Sequence, residues 1–228
     1  MIVSSVFIFL FGLVIGSFLN AVIWRIDSER PVWRGRSVCP ACRRKLSWQD
    51  LIPVISFLWL RGRCRYCKKQ ISLQYPLVEL AAGAVFLAIF NFSAKGGPAS
   101  MPAALGGPLF ELPYLWFIAS SLIVIFVYDL KHLIIPDKVV YPAIILAFLW
   151  DFVRNLTLEI SNFGLAINYL LAGLAAAAFF FIIYALSRGR WMGLGDAKLA
   201  LLMGLALGFP NVLVALFFAF VLGAVFSL

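Results

Sequence analysis

Apolar residues run along this chain in blocks too continuous for a strand's alternation and too uniform for a one-faced helix. Seven such windows stand out: Ile2 to Trp24, Tyr75 to Phe92, Pro113 to Tyr128, Val139 to Val153, Phe163 to Leu186, Ala197 to Phe209 and Asn211 to Leu228. About 20 apolar residues cross a bilayer as a helix, so the windows predict membrane-spanning helices. Val139 to Val153 holds 15 residues. That is roughly 22 Å of helix, which crosses only where the bilayer thins or flanking residues help. The last window reaches Leu228 without a basic or aromatic stop, and its helix is expected to continue.

Composition agrees, since 64% of the 228 residues are hydrophobic and the mean hydropathy is +1.00, whereas soluble domains are roughly 45 to 50% apolar. The expected fold is an all-α polytopic membrane protein, a bundle of about seven transmembrane helices with one small polar insertion. Its domains read as the first transmembrane helix over 1–24, a basic four-cysteine loop over 25–74, and a helical bundle over 75–228.

Charge then orients the bundle. Twelve of the 19 Lys and Arg lie between Arg25 and Lys69, and a short basic loop beside a span marks the cytoplasmic side. Alternating sides from there adds Lys131, Lys138, Arg188, Arg190 and Lys198 to that side and leaves only Lys95 and Arg154 outside. The N-terminus is therefore expected outside. No basic stretch precedes the first window, which reads as a span and not as a cleaved signal peptide. Membrane lipid, not nucleic acid, is the partner this charge pattern implies. The nearly uncharged stretch from Ser93 to Leu112, rich in Gly, Pro, Ala and Ser, reads as an irregular extracytoplasmic loop. GLVIG at Gly12 to Gly16 and GLALG at Gly204 to Gly208 permit close helix packing.

All four cysteines sit in the basic loop, as CPAC (Cys39, Cys42) and CRYC (Cys64, Cys67) with 21 residues between the pairs. Two CxxC turns at this spacing suit four thiolates around a tetrahedral zinc ion, a zinc-ribbon-like insertion. Disulfides and redox-active thiols are the competing readings, though the reducing side of the membrane disfavours stable disulfides. A closed four-Cys site has no open position for catalysis, so such a zinc is structural.

Carboxylates near spans are informative because a charge in lipid is costly. Asp151, beside Arg154, reads as a solvated helix end. Asp129 closes the third window, Asp137 precedes the fourth and Asp196 opens the sixth, all on one side at similar depth. Two adjacent aspartates cannot easily both ionise, and a pair sharing one proton can activate water and protonate a carbonyl oxygen. This chemistry needs neither serine nor histidine. Asp196 follows Gly193 and Gly195, which allow a tight turn, and a place at the helix start favours its ionised form. Spacing alone slightly favours a plain helix cap.

Five stretches in order, GSFLNAVIWRI (Gly16 to Ile26), the two CxxC pairs, YPLVEL (Tyr75 to Leu80), DLKHLIIPD (Asp129 to Asp137) and GLGDAKL (Gly193 to Leu199), resemble the bacterial type IV prepilin peptidases, or leader peptidase/N-methyltransferases. The resemblance implies a GxGD intramembrane aspartyl protease with about eight spans in the inner membrane, and Asp129 and Asp196 as its catalytic pair. It further implies cleavage of the basic leader of prepilins and pseudopilins after a glycine at the cytoplasmic face, in a type IV pilus or type II secretion system. Asp137, Gly193 and Gly195 would support the site. N-methylation of the new terminus with S-adenosylmethionine would fall to the N-terminal half, including Gly16, Asn20 and Glu79. A proton-coupled transporter and a non-enzymatic anchor with a zinc recruitment module are the rival classes.

Overall fold

A computed structural model describes residues 2–32, 35–94, 107–157 and 163–227. Among these, eight α-helices and no β-strand are found: α1 (Ile2–Asp27), α2 (Ile55–Trp59), α3 (Gln74–Ala94), α4 (Gly107–His132), α5 (Asp137–Thr157), α6 (Phe163–Ser187), α7 (Leu194–Leu207) and α8 (Asn211–Ser227). Every apolar window is a helix, and α2 is the one added inside the polar loop. Four stretches are long and apolar enough to cross a bilayer: Val3–Asp27, Gln74–Ala94, Glu111–His132 and Ile167–Ser187. The protein is therefore a multi-pass membrane protein.

Two boundaries differ from the sequence reading. Helix α5 extends over 21 residues, because Asp137, Asp151 and Arg154 interrupt the apolar run without interrupting the helix. Similarly, α4 begins at Gly107 and carries Pro113 inside, so only the centre of the Gly- and Pro-rich stretch, 95–106, is left over, and it lies outside the described residues.

The chain falls into two compact units, Met1–Val127 and Tyr128–Leu228. In the first, α1 lies backbone to backbone on α3. A Cβ on Gly12 would come 2.7 Å from the Gly83 Cα, and one on Gly16 2.6 Å from the Glu79 Cα. Above this contact Phe86 is almost wholly buried and stacks on Trp116 at 5.1 Å, and the Trp116 indole N–H donates to the Phe86 carbonyl at 3.3 Å.

The four-cysteine loop is built from two copies of one turn, offset by 25 residues. In the first, the Cys39 N–H donates to the Arg44 carbonyl, and Arg43 donates back to Cys39. In the second, Cys64 donates to Lys69, and Lys68 donates back to Cys64. Arg43 and Lys68 both adopt positive φ, 55° and 58°, and single antiparallel bridges, Val38 to Lys45 and Arg63 to Gln70, close the two turns. Asp50 ties the connecting segment to the second turn: its carboxylate accepts from Ser47 and pairs with Arg65 at 2.7 Å.

In the second unit α7 packs on α6 at glycine. A Cβ on Gly204 would lie 2.4 Å from the Gly173 Cα. Asn168 of α6 grips the turn after α7, accepting from the Phe209 N–H at 2.7 Å. Phe180, Ala197 and Ala200 form a buried cluster beside Met192 and Leu216. Asp151, expected to be solvated, is instead buried and pairs with Arg154 at 3.4 Å. Arg154 also lies over the Tyr169 ring, so that ion pair is held within the fold.

Candidate active site

Asp129 and Asp196 both belong to the second unit, and their two motifs interlock there. At the first, α4 stops just past Asp129 because Leu133 turns to a φ of 54°, its N–H bonding to the Asp129 carbonyl at 2.8 Å. Proline at 136 cannot extend that helix, and its carbonyl instead accepts from Val139 and Val140 at the start of α5. The motif is thus a helix end, a tight turn and a helix start.

At the second motif Gly193 is the N-cap of α7, extended at φ −80° and ψ 154°. Asp196 is the third residue inside the helix, not the cap, and its carboxylate reaches back to accept from the Gly193 N–H at 3.1 Å. This is one half of a capping box. Gly195 packs against Ile135 of the first motif: a Cβ there would meet the Ile135 Cβ at 3.1 Å. Lys198, two residues after Asp196, donates to Asp137 at 2.6 Å and lies 4.9 Å from the centre of the Tyr141 ring. Asp137 therefore joins the two motifs besides opening α5. Lys198 entered the sequence reading only as a charge, yet a lone lysine inside an apolar helix calls for a nearby carboxylate, and that signal was legible.

Asp196 stands one residue before the apolar window that starts at Ala197. Burial pushes its carboxyl above the ordinary aspartate value, the Gly193 N–H opposes this, and the charge of Asp129 pushes it further up. The sequence expectation rested on the helix start alone, whereas burial and the charge of Asp129 act against the Asp196 carboxylate in the folded site. A raised folded value stabilises the fold below the ordinary aspartate pKa, and this contribution is lost as pH rises through the raised one. With Asp129→Asn the neighbouring charge disappears, so Asp196 is expected to titrate lower than in the wild type. Infrared difference spectroscopy of the protonated carboxyl across pH reads this, and an unmoved titration contradicts electrostatic contact between the two residues.

The four cysteine sulfurs in the first unit all lie within 4.8 Å of one another, and Cys39 and Cys67 are 3.9 Å apart. Four thiolates about 2.3 Å from zinc in a tetrahedron sit roughly 3.8 Å apart, so the cluster fits such an ion with little adjustment. Burial opposes ionisation of Cys39, but the N–H groups of Cys42 and Ala41 and the Cys42 and Cys64 thiols together outweigh it and bring the thiol to about 7.

The remaining residues of the N-terminal half have structural tasks. Gly16 is filled by the α3 backbone and Glu79 accepts from the Val54 N–H at 2.8 Å. The Asn20 amide donates to the Tyr75 carbonyl at 3.0 Å. Its Oδ1 is buried without a partner among the described residues. Gly193 has no close neighbour beyond its own turn.

Residues 10–92 match the model of the bacterial peptidase A24 N-terminal domain, and 116–228 match that of the type IV leader peptidase family. A prepilin leader peptidase/N-methyltransferase of Bacillus subtilis is 34% identical over 96% of this chain and 80% of its own length. The enzyme of that name from Klebsiella pneumoniae is 33% identical over 89% of this chain and 84% of its own. A third, from Myxococcus xanthus, is 32% identical over 97% of this chain, which spans 61% of that relative's length. No solved structure matches. With both halves of the chain matched in order, this protein belongs to the type IV leader peptidase family.

Proposed function

We propose that this protein is a prepilin leader peptidase, an aspartic endopeptidase that removes the basic leader of type IV prepilins and pseudopilins after a glycine. The observation that carries this reading is the interlock of the two aspartate motifs in one compact unit, through Lys198 on Asp137 and Gly195 on Ile135. The ionised member of the Asp129 and Asp196 pair takes a proton from water as the water oxygen attacks the scissile carbonyl carbon. The protonated member donates to the carbonyl oxygen. Collapse of the tetrahedral intermediate breaks the C–N bond, the leaving amine gains the proton taken from water, and the second carboxyl recovers its own. Asp137, Gly193 and Gly195 support the pair and touch no reacting atom.

In this reading the protein sits in the bacterial inner membrane with its N-terminus outside and the aspartates at the cytoplasmic face, where a basic leader is also retained. The four-cysteine loop is a zinc-stabilised insertion of the N-terminal unit, and the bundle carries the protease. N-methylation of the new terminus is the second activity, on the strength of the relatives' names. S-adenosylmethionine would supply the methyl group. Asn20 Oδ1 offers it a hydrogen-bond acceptor, whereas Gly16 and Glu79 serve packing and the tether to Val54.

Co-expression with a prepilin tests both activities. The mature pilin should begin one residue after the leader glycine and carry one added methyl group by mass spectrometry. An intact leader contradicts the protease, and an unmodified terminus contradicts the methyltransferase. For the loop, the purified protein should hold one zinc per chain by elemental analysis. Chelation should open the loop to proteolysis, whereas a chelated loop that stays resistant contradicts a structural metal.

A further inference from the structure

The four-cysteine loop carries an apolar strip that is exposed among the described residues. Trp48 is 73% exposed, Leu51 39%, Ile55 56%, Leu58 67% and Trp59 85%. Ile55, Leu58 and Trp59 fall at i, i+3 and i+4, one face of α2. The other side of α2 is occupied, because the Phe57 ring packs under Gly62.

The depth of this strip follows from one hydrogen bond. Val54, the residue before α2, donates its N–H to the Glu79 carboxylate at 2.8 Å. Glu79 lies five residues into the Gln74–Ala94 span, about 7.5 Å along the helix axis. That span of 21 residues is about 31 Å long, close to the roughly 30 Å of the hydrocarbon core, so its ends have little room to stand clear of the lipid. Leu73, Leu77 and Leu80, around the same level of α3, are open on the outside, at 67%, 62% and 42%. The start of α2 is thus tied within about 7.5 Å of the boundary between headgroups and acyl chains. Charge selects the surface. Between Asp50 and Glu79 there is no acidic residue, and Arg61, Arg63, Arg65, Lys68 and Lys69 are all exposed. A basic peptide is repelled by such a segment, and an anionic headgroup is attracted. Tryptophan is moreover the residue most at home at that boundary.

We propose that the segment from Trp48 to Trp59 lies in the bilayer interface, its apolar strip seated on the acyl-chain ends and Arg61 and Arg63 on the phosphates of anionic lipids. The loop is then held at three points, by its two flanking spans and by this strip.

The full chain in nanodiscs tests this, with Trp59→Phe supplying the Trp59 emission by difference and zinc content confirming that both proteins are folded. In phosphatidylglycerol-containing discs, lipids brominated near the glycerol end of the chains should remove most of the Trp59 emission and aqueous iodide little of it. Quenching by iodide and not by brominated lipid overturns the proposal. Iodide quenching that disappears only when a prepilin peptide is added overturns it in favour of a substrate surface. In pure phosphatidylcholine, or with Arg61→Gln and Arg63→Gln together, lipid quenching should weaken. Equal quenching in both lipids overturns the assignment of an anionic headgroup.

Discussion

Asp129→Asn and Asp196→Asn should each reduce leader removal by on the order of 10⁴-fold, as expected when one member of a catalytic unit is lost. Asparagine keeps the size of the side chain but can neither accept the proton from water nor return one. At Asp196 it also weakens the reach to the Gly193 N–H, where a neutral amide oxygen replaces a carboxyl. Loss of such a cap interaction costs about 1 kcal/mol, too little to unfold the bundle. The measurement is initial rate with a purified prepilin, normalised to protein that elutes as a single species. Wild-type rates in either folded variant contradict the assignment.

Gly204→Leu should be the most damaging change away from the aspartates. Even a Cβ at that position would overlap the Gly173 backbone, at 2.4 Å from its Cα and 2.5 Å from its N. Backbone cannot rotate away as a side chain can, so α6 and α7 must separate. Overpacking costs typically 1 to 3 kcal/mol, and the larger side chain should lie at or beyond the upper end. Because α7 carries Asp196, activity should fall together with the thermal midpoint in detergent. Gly223→Leu, where an added Cβ meets nothing within 4 Å, is the control and should leave both unchanged. A Gly204→Leu protein as stable as the wild type contradicts the close α6 to α7 contact.

What was legible in the sequence follows from what lipid demands. A span must be continuously apolar, so all seven windows appeared as helices. Their ends were less legible, because a helix such as α5 continues through Asp137, Asp151 and Arg154 once those charges find partners or water. Asp151 was misjudged for the same reason: its neighbour Arg154 was visible, but its burial depends on packing from other helices. The cysteine spacing told of four converging sulfurs, since two CxxC turns in one short loop can close on a single point. The ties between distant segments depend on tertiary approach: the lone Lys198 of an apolar helix signals a carboxylate partner without saying which one, and nothing in the spacing marks Glu79 with Val54. The upward push on the Asp196 carboxyl was not legible, because helix position is local and readable, whereas desolvation is a property of the folded site.

The central claim is that Asp129 and Asp196 act as one unit, and a double-mutant cycle on leader removal tests it most directly. If both aspartates serve a single proton-sharing step, the Asp129→Asn, Asp196→Asn double variant should be no slower than the slower single variant. Losses that multiply, or a residual rate in either single variant near that of the wild type, would contradict it.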